Sequence, residues 1–278
     1  MTYRTILVHA DLSRNAPGRI RLAAAVAAAQ GAHLIGLAAI GVPRVLFPNG
    51  YDAAPGTLGA GYFDPLHEAA RRALDQFATI AGGAGVSFEI RLQCDSAEDA
   101  LAQMARFCDL VVISQDDPDE TLTDMSTRLP EYVVLNCSRP ILVAPRGAWT
   151  TAAGQKILVA WNGSKEASSA INAALPLLQG AAQVTVASMR ASSWSASTIE
   201  EELAELAVFL ERHGVKPEML LRDEDIDAGN RILSLAAEHA CDLVVMGCYG
   251  HSQFRELCLG GATRTVLSSA RLPVLMAR

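Results

Sequence analysis

The chain has no apolar run long enough to cross a bilayer; its longest, such as LVVIS and ILVAP, have the length of a β-strand. Its opening residues, MTYRTILVHADLSRN, put no apolar core behind basic residues, so a cytoplasmic protein without a membrane anchor is expected. It also has no cluster of Lys or Arg, and its formal net charge is −7. A row of nucleic-acid phosphates needs cations to neutralise it, so nucleic acid is not an expected partner. The six cysteines (Cys94, Cys108, Cys137, Cys241, Cys248, Cys258) form no CxxC pair and have no histidine at metal-ligand spacing. They read as reduced, mostly buried thiols rather than a zinc site or a disulfide framework. Neither GxxxxGK(S/T) nor a GxGxxG after the first strand occurs, which excludes an ordinary P-loop nucleoside triphosphatase and a dinucleotide dehydrogenase. His9 and His251 lack a nucleophile and an orienting acid at recognisable spacing, so no catalytic residue is assigned.

What is present is a globular chain of 278 residues, half of them hydrophobic and 19% charged, enough to bury two ordinary cores. The sequence is written twice. Cys108-Asp109-Leu110-Val111-Val112-Ile113-Ser114 matches Cys241-Asp242-Leu243-Val244-Val245-Met246-Gly247, and Arg139 to Pro145 matches Leu272 to Arg278, both at an offset of 133. At the front, Ile6-Leu7-Val8-His9-Ala10-Asp11-Leu12-Ser13 matches Ile157 to Ser164 at an offset of 151, so the first copy holds 18 extra residues. Those fall around Val42 to Phe63, where Pro43, Pro48, Gly50, Pro55, Gly56, Gly59 and Gly61 predict a long loop. The copies span 1–147 and 154–278 and join through Arg146 to Gly154.

Within the second copy the apolar β-branched runs predict strands at 156–161, 183–189, 215–221, 242–247 and 273–277. Helical periodicity predicts helices at 165–178, 197–213, 228–240 and 254–269. The first copy reads alike, with strands at 4–9, 33–40, 86–92, 109–114 and 140–144. Strand followed by helix, repeated, implies α/β domains, each a five-stranded, mostly parallel sheet with helices on both faces. Such sheets bind ligands beyond the carboxyl ends of their strands.

At that end of the second copy the chain reads Gly247-Cys248-Tyr249-Gly250-His251-Ser252-Gln253-Phe254-Arg255-Glu256-Leu257-Cys258-Leu259-Gly260-Gly261-Ala262-Thr263, a G-x2-G-x9-G spacing. Glycines where a strand passes into a helix let the backbone approach a ligand, and free amides at a helix start favour anions. A polyphosphate suits such a loop, with His251, Ser252 and Thr263 as side-chain donors.

Taken together, Ile157 to Ser164 and Cys241 to Arg278 resemble the universal stress protein family, in its tandem two-domain form, over nearly the whole chain. The resemblance implies two Rossmann-like domains of the adenine nucleotide alpha hydrolase type. In the ATP-binding branch of that family, G-x2-G-x9-G is followed by Ser or Thr. The resemblance therefore implies that Gly247, Gly250, His251, Ser252, Gly260, Gly261, Ala262 and Thr263 line a nucleotide site, with Ala160, Asn162 and the Met189 backbone at the adenine end. The expected ligand is ATP, ADP or AMP, with Mg²⁺ on the phosphates, in a sensor or regulator of the stress response. Gly261 stands where the family usually has Ser or Thr, and Asn162 where it usually has Asp. The alternatives are a nucleotide-free scaffold that binds partners, and a slow ATP hydrolase. The family also pairs through its last strands, which implies that Ile141 to Ala144 and Val274 to Ala277 face one another as an internal pseudo-dimer, with a homodimer as a further step.

The first copy is degenerate in the same register: Ser114, Asp117, Thr127, Arg128 and Pro130 replace Gly247, Gly250, Gly260, Gly261 and Thr263. Its loop Gln115-Asp116-Asp117-Pro118-Asp119-Glu120 carries four carboxylates, which repel phosphates. No nucleotide is expected there. Asp116, Asp117 and Asp119 read as a solvated acidic turn, with a metal site the alternative. Elsewhere, Cys248 reads as structural with a reactive thiol the alternative, Cys258 as core, His9 as a strand-end residue, the Arg222 to Asp227 cluster as helix capping with a Mg²⁺-binding carboxylate group the alternative, and Glu200, Glu201, Glu202 and Glu205 as a solvated face.

Overall fold

The computed structural model describes residues 2–42, 63–120, 128–147, 153–189, 196–221, 227–249 and 261–278. Most of the 42–63 loop and the glycine-rich residues 250–260 lie outside the described residues. The chain divides into two compact units, 2–139 and 140–278.

The first unit holds strands β1 (Thr5–His9), β2 (His33–Ala39), β3 (Phe88–Gln93) and β4 (Leu110–Ser114), with helices α1 (Ala16–Gln30), α2 (Asp64–Gly83), α3 (Ala97–Met104) and α4 (Leu129–Asn136). The sheet runs β3-β2-β1-β4, and each of these pairings is parallel. β4 is buried along its whole length, as expected for a strand covered on both faces.

The second unit repeats the pattern. It holds β5 (Ile141–Ala144), β6 (Lys156–Trp161), α5 (Lys165–Leu178), β7 (Gln183–Ser188), α6 (Ala196–Arg212), β8 (Pro217–Leu220), α7 (Ala228–Glu238), β9 (Leu243–Gly247), α8 (Ala262–Ser269) and β10 (Val274–Ala277). Its strands are ordered β5-β10-β9-β6-β7-β8, all parallel except β5, which pairs antiparallel with β10 (Val274 opposite Val143, Leu275 opposite Leu142). The two segments expected to face each other therefore pair as strands. β6 has β7 on one side and β9 on the other, so the strand order reverses between β6 and β9.

The duplicated Asp-Leu-Val-Val motif has a structural explanation. Asp242 accepts hydrogen bonds from the backbone N–H groups of Gly154, Gln155 and Lys156, at 2.9–3.0 Å, and so ties the start of β9 to the start of β6. Asp109 does the same in the first unit, accepting from the N–H groups of Arg4 and Thr5 at 2.7 and 3.0 Å. An acid at that point fixes strand register without entering the core. Behind it, Leu158, Val159, Val244, Val245 and Leu275 are fully buried, as are Leu7, Val8, Val111 and Val112 in the first unit.

Glu200, Glu201 and Glu205 on α6 are exposed, as their spacing predicts, while Leu203, Leu206 and Leu210 are buried. Asp227 caps α7, accepting from the Gly229 N–H at 3.0 Å. Among the described residues no helix is long and apolar enough to cross a membrane.

Candidate ligand cleft of the second domain

The cleft lies where the strand order reverses, at the carboxyl ends of β6 and β9. β6 ends in Trp161, and the chain turns through Asn162 and Gly163 into α5. Asn162 Oδ1 accepts from the Ser164 N–H at 3.1 Å, and Ser164 caps the helix by accepting from the Ala167 N–H at 3.1 Å. On the far side, β9 ends at Gly247. A Cβ built there would lie 2.5 Å from Ala167 N and 2.6 Å from Glu166 C, both main-chain atoms. Glycine at 247 is thus required by the close approach of α5, a reason that does not involve a ligand.

An open cleft forms there, walled by both strand ends and by the starts of the helices that follow them. Of the eleven residues expected at the site, Ala160, Asn162, Met189, Gly247, Ala262 and Thr263 line it. Gly261 caps the start of α8 immediately beside Ala262. Gly250, His251, Ser252 and Gly260 lie outside the described residues. Ser164, Glu166, Ala228, Ile232, Met246 and Tyr249 also line the cleft and were not singled out in the sequence.

Two ends can be distinguished. At one, the Met189 N–H donates to the Trp161 carbonyl at 2.6 Å and carries the β6–β7 ladder one step further. At the other, the Tyr249 N–H donates to the Thr263 hydroxyl oxygen at 3.4 Å, and Tyr249 has a left-handed φ of 53°. Thr263 is almost wholly buried, so its hydroxyl first serves to hold the strand-end turn against α8. Helices α7 and α8 meet closely there: a Cβ at Gly229 would lie 2.6 Å from Thr265 Cβ and 3.1 Å from Ala262 Cα.

Cys248 is buried, and its thiol donates to the Ala277 carbonyl at 3.1 Å, in keeping with a structural role. Burial also pushes the Cys108 thiol up to about 12 and the Cys241 thiol up to about 11, both far from the thiolate range.

The first unit's crevice is built differently at matching positions. Arg19, on α1, is buried and donates through Nε to the His9 carbonyl (2.8 Å), through Nη1 to Ser114 Oγ (2.9 Å) and through Nη2 to Asp11 Oδ1 (2.9 Å). Asp11 further accepts from the Ser13 N–H and hydroxyl, at 3.0 and 2.6 Å, and His9 Nδ1 lies 3.3 Å from its other oxygen. Burial, reinforced by the Arg19 cation, lowers the His9 pKa to about 4 despite the nearby carboxylate. Asp11 is held well below the ordinary carboxylate range by Arg19 and His9, which outweigh its burial. The acidic turn is likewise engaged by the protein itself. Asp117 accepts from Arg14 Nε and Nη2 at 2.6 and 2.5 Å and from Asn15 Nδ2 at 2.9 Å, and Glu120 accepts from the Arg14 N–H at 2.5 Å.

A tandem α/β protein with an open crevice in one repeat and a self-filled crevice in the other is the class this geometry defines. The chain belongs to the universal stress protein family, whose model matches residues 2–145 and again 154–278. A Synechocystis universal stress protein is 30% identical over 156 residues, 53% of this chain and 50% of that one, so the match spans about half the length of the curated relative. Among solved structures, a universal stress protein from Archaeoglobus fulgidus aligns over 99% of this chain and 98% of its own with a TM-score of 0.75 at 15% identity. A Pseudomonas aeruginosa protein assigned to the same family aligns over 99% and 93% with a TM-score of 0.61 at 19% identity. At these identities the two structures support the fold alone.

Proposed function

We propose that the second domain, residues 154–278, binds an adenine nucleotide, ATP, ADP or AMP, and that the chain acts as a sensor or regulator in the stress response while residues 1–147 form a degenerate, nucleotide-free domain. One observation carries the reading: six of the residues expected at the site line a single cleft at the point where the strand order reverses. The start of α8 opens onto the cleft through Ala262 and Thr263, giving an anionic group helix amides to approach. When phosphates are bound, Mg²⁺ would neutralise their charge. No general base has been assigned, so turnover beyond slow hydrolysis is not expected.

Isothermal titration with ATP tests this. The parent protein should bind one equivalent through its second domain, and Gly250→Asp, which copies the first domain's Asp117, should weaken binding at least about tenfold through charge repulsion. Absence of heat in the parent overturns the proposal. A nucleotide-free scaffold is the second reading, favoured by the internal hydrogen bonds that already engage Asn162 Oδ1 and the Thr263 hydroxyl. Nucleotide released when freshly purified protein is denatured would count against it.

A further inference from the structure

We infer that Glu166 reads the sugar hydroxyls of the bound ligand and makes the cleft selective for ribonucleotides over 2′-deoxyribonucleotides, an inference that rests on the nucleotide reading of the cleft. Glu166 lies in the first turn of α5, lines the cleft, and is only 4% exposed. Among the described residues its one partner is Lys165 Nζ, 3.6 Å away on a side chain that is itself 89% exposed. That is a long contact to a solvated cation, and among the described residues no hydrogen bond to the carboxylate accompanies it. A carboxylate this buried ordinarily accepts several hydrogen bonds, because losing water without replacement is costly. A ligand seated in the cleft can supply such donors.

Its position selects which part of the ligand that is. Glu166 Cβ would lie 2.9 Å from a Cβ built on Gly247, so the side chain sits where β6 and β9 adjoin. Met189 and Ala160 mark the cleft on one side, Thr263 and Ala262 on the other. In a nucleotide laid between those ends the sugar occupies the middle. A carboxylate facing a phosphate would repel it, whereas the vicinal hydroxyls of ribose are donors, and an acid in contact with the ribose 2′-OH is how related crevices recognise that sugar. The first domain offers a control. The matching residue is Asn15, an uncharged amide whose Nδ2 donates to Asp117 inside the protein. A carboxylate stands at this position where the crevice is open, and an uncharged amide where it is closed.

The test compares ATP with 2′-deoxy-ATP by isothermal titration, each with Mg²⁺ and again with excess chelator, on the parent, Glu166→Gln and Glu166→Asp. The parent should bind ATP about tenfold more tightly than the deoxy form, as expected for one charge-assisted hydrogen bond. Glu166→Gln should bring the two within about twofold, and Glu166→Asp, which keeps the charge and shortens the reach, should fall between. Equal affinity of the parent for both nucleotides overturns the inference, as does full discrimination in the Gln variant. Chelator-sensitive ATP binding that becomes chelator-insensitive in the Gln variant also overturns it, because Glu166 would then hold the cation. If the parent binds neither nucleotide, the nucleotide reading of the cleft falls with it, whereas binding without discrimination sinks only the role of Glu166.

Discussion

The two crevices share a register and differ at five places: His9 against Ala160, Asp11 against Asn162, Asn15 against Glu166, Arg19 against Ala170, and Ser114 against Gly247. In the first domain the guanidinium of Arg19 reaches the His9 carbonyl, Ser114 and Asp11, whose counterparts Ala160, Gly247 and Asn162 all line the open cleft of the second. The first domain has therefore put an internal cation where the second leaves room for a ligand. The change at 114 goes with it. Gly247 lets α5 begin at Lys165, pressed against the strand end, whereas the side chain of Ser114 stands at the matching place and α1 begins two positions later in register, at Ala16. One long side chain from the helix after the first strand is enough to engage all three of these groups from within the protein.

The largest expected effect follows from breaking that internal cation. Arg19→Ala leaves Ser114 and the His9 carbonyl buried without that donor and half-buried Asp11 without its cation, and should destabilise the first domain by about 2–4 kcal/mol. The double variant Arg19→Ala with Asp11→Asn copies the second domain at both positions and removes the stranded charge, so urea unfolding followed by circular dichroism should show most of that loss recovered. A double variant no better than the single would mean that packing, and not charge, is what Arg19 supplies.

The next effect is a dependence on pH. Folded His9 titrates at about 4, against an ordinary value near 6.5, so between those values the unfolded chain takes up a proton that the folded chain refuses. Stability should therefore fall as pH drops from about 6.5 to about 4, by up to about 3 kcal/mol. Asp11, whose folded pKa is depressed, adds a further loss at still lower pH, as its carboxylate is protonated. His9→Ala copies Ala160 and should flatten the first window alone, which urea midpoints measured between pH 4.5 and 7 would show. A parent and a variant that fall in parallel would refute the assignment to His9.

A smaller effect is expected from moving the second crevice toward the first. Gly247→Ala places a methyl against the main chain of Glu166 and Ala167, so α5 must shift, at about 1–3 kcal/mol. Ligand titration should lose affinity in step. Unchanged stability would show that α5 can withdraw freely and that the glycine serves the ligand after all.

Much of the fold was legible because apolar runs and helix caps write themselves locally. The strand at 156–161 and the helix at 165–178 fall on their expected bounds, since Asn162, Gly163 and Ser164 mark both the turn and the cap. The duplication was legible as a repeat, and the family model matches both copies. The residues that decide the crevices were less visible. Arg19 reads as one more charge in an Ala-rich helix, and only its match to Ala170, with buried Ile20 and Ile171 alongside, hints that it faces inward. Glu166 looks like an ordinary first-turn acid, since burial of a helix start depends on what the strand end beside it lacks. Gly247 was visible, but its cause was not: a glycine that admits a ligand and one that admits a helix have the same letter.

The smallest effect concerns the acidic turn of the first domain. Arg14 bridges Asp117 and Asp119 from an exposed position, where water and salt screen the attraction and holding long side chains together costs entropy. Arg14→Ala should leave the melting temperature unmoved, because the Arg14 backbone N–H still reaches Glu120 and Asn15 still holds Asp117. Its consequence should be local: faster amide hydrogen exchange over residues 115–120, reproduced in the parent by raising the salt concentration to about 0.5 M. A melting temperature that fell by several degrees would instead make this clasp, and not the buried Arg19, the contact that keeps the first crevice shut.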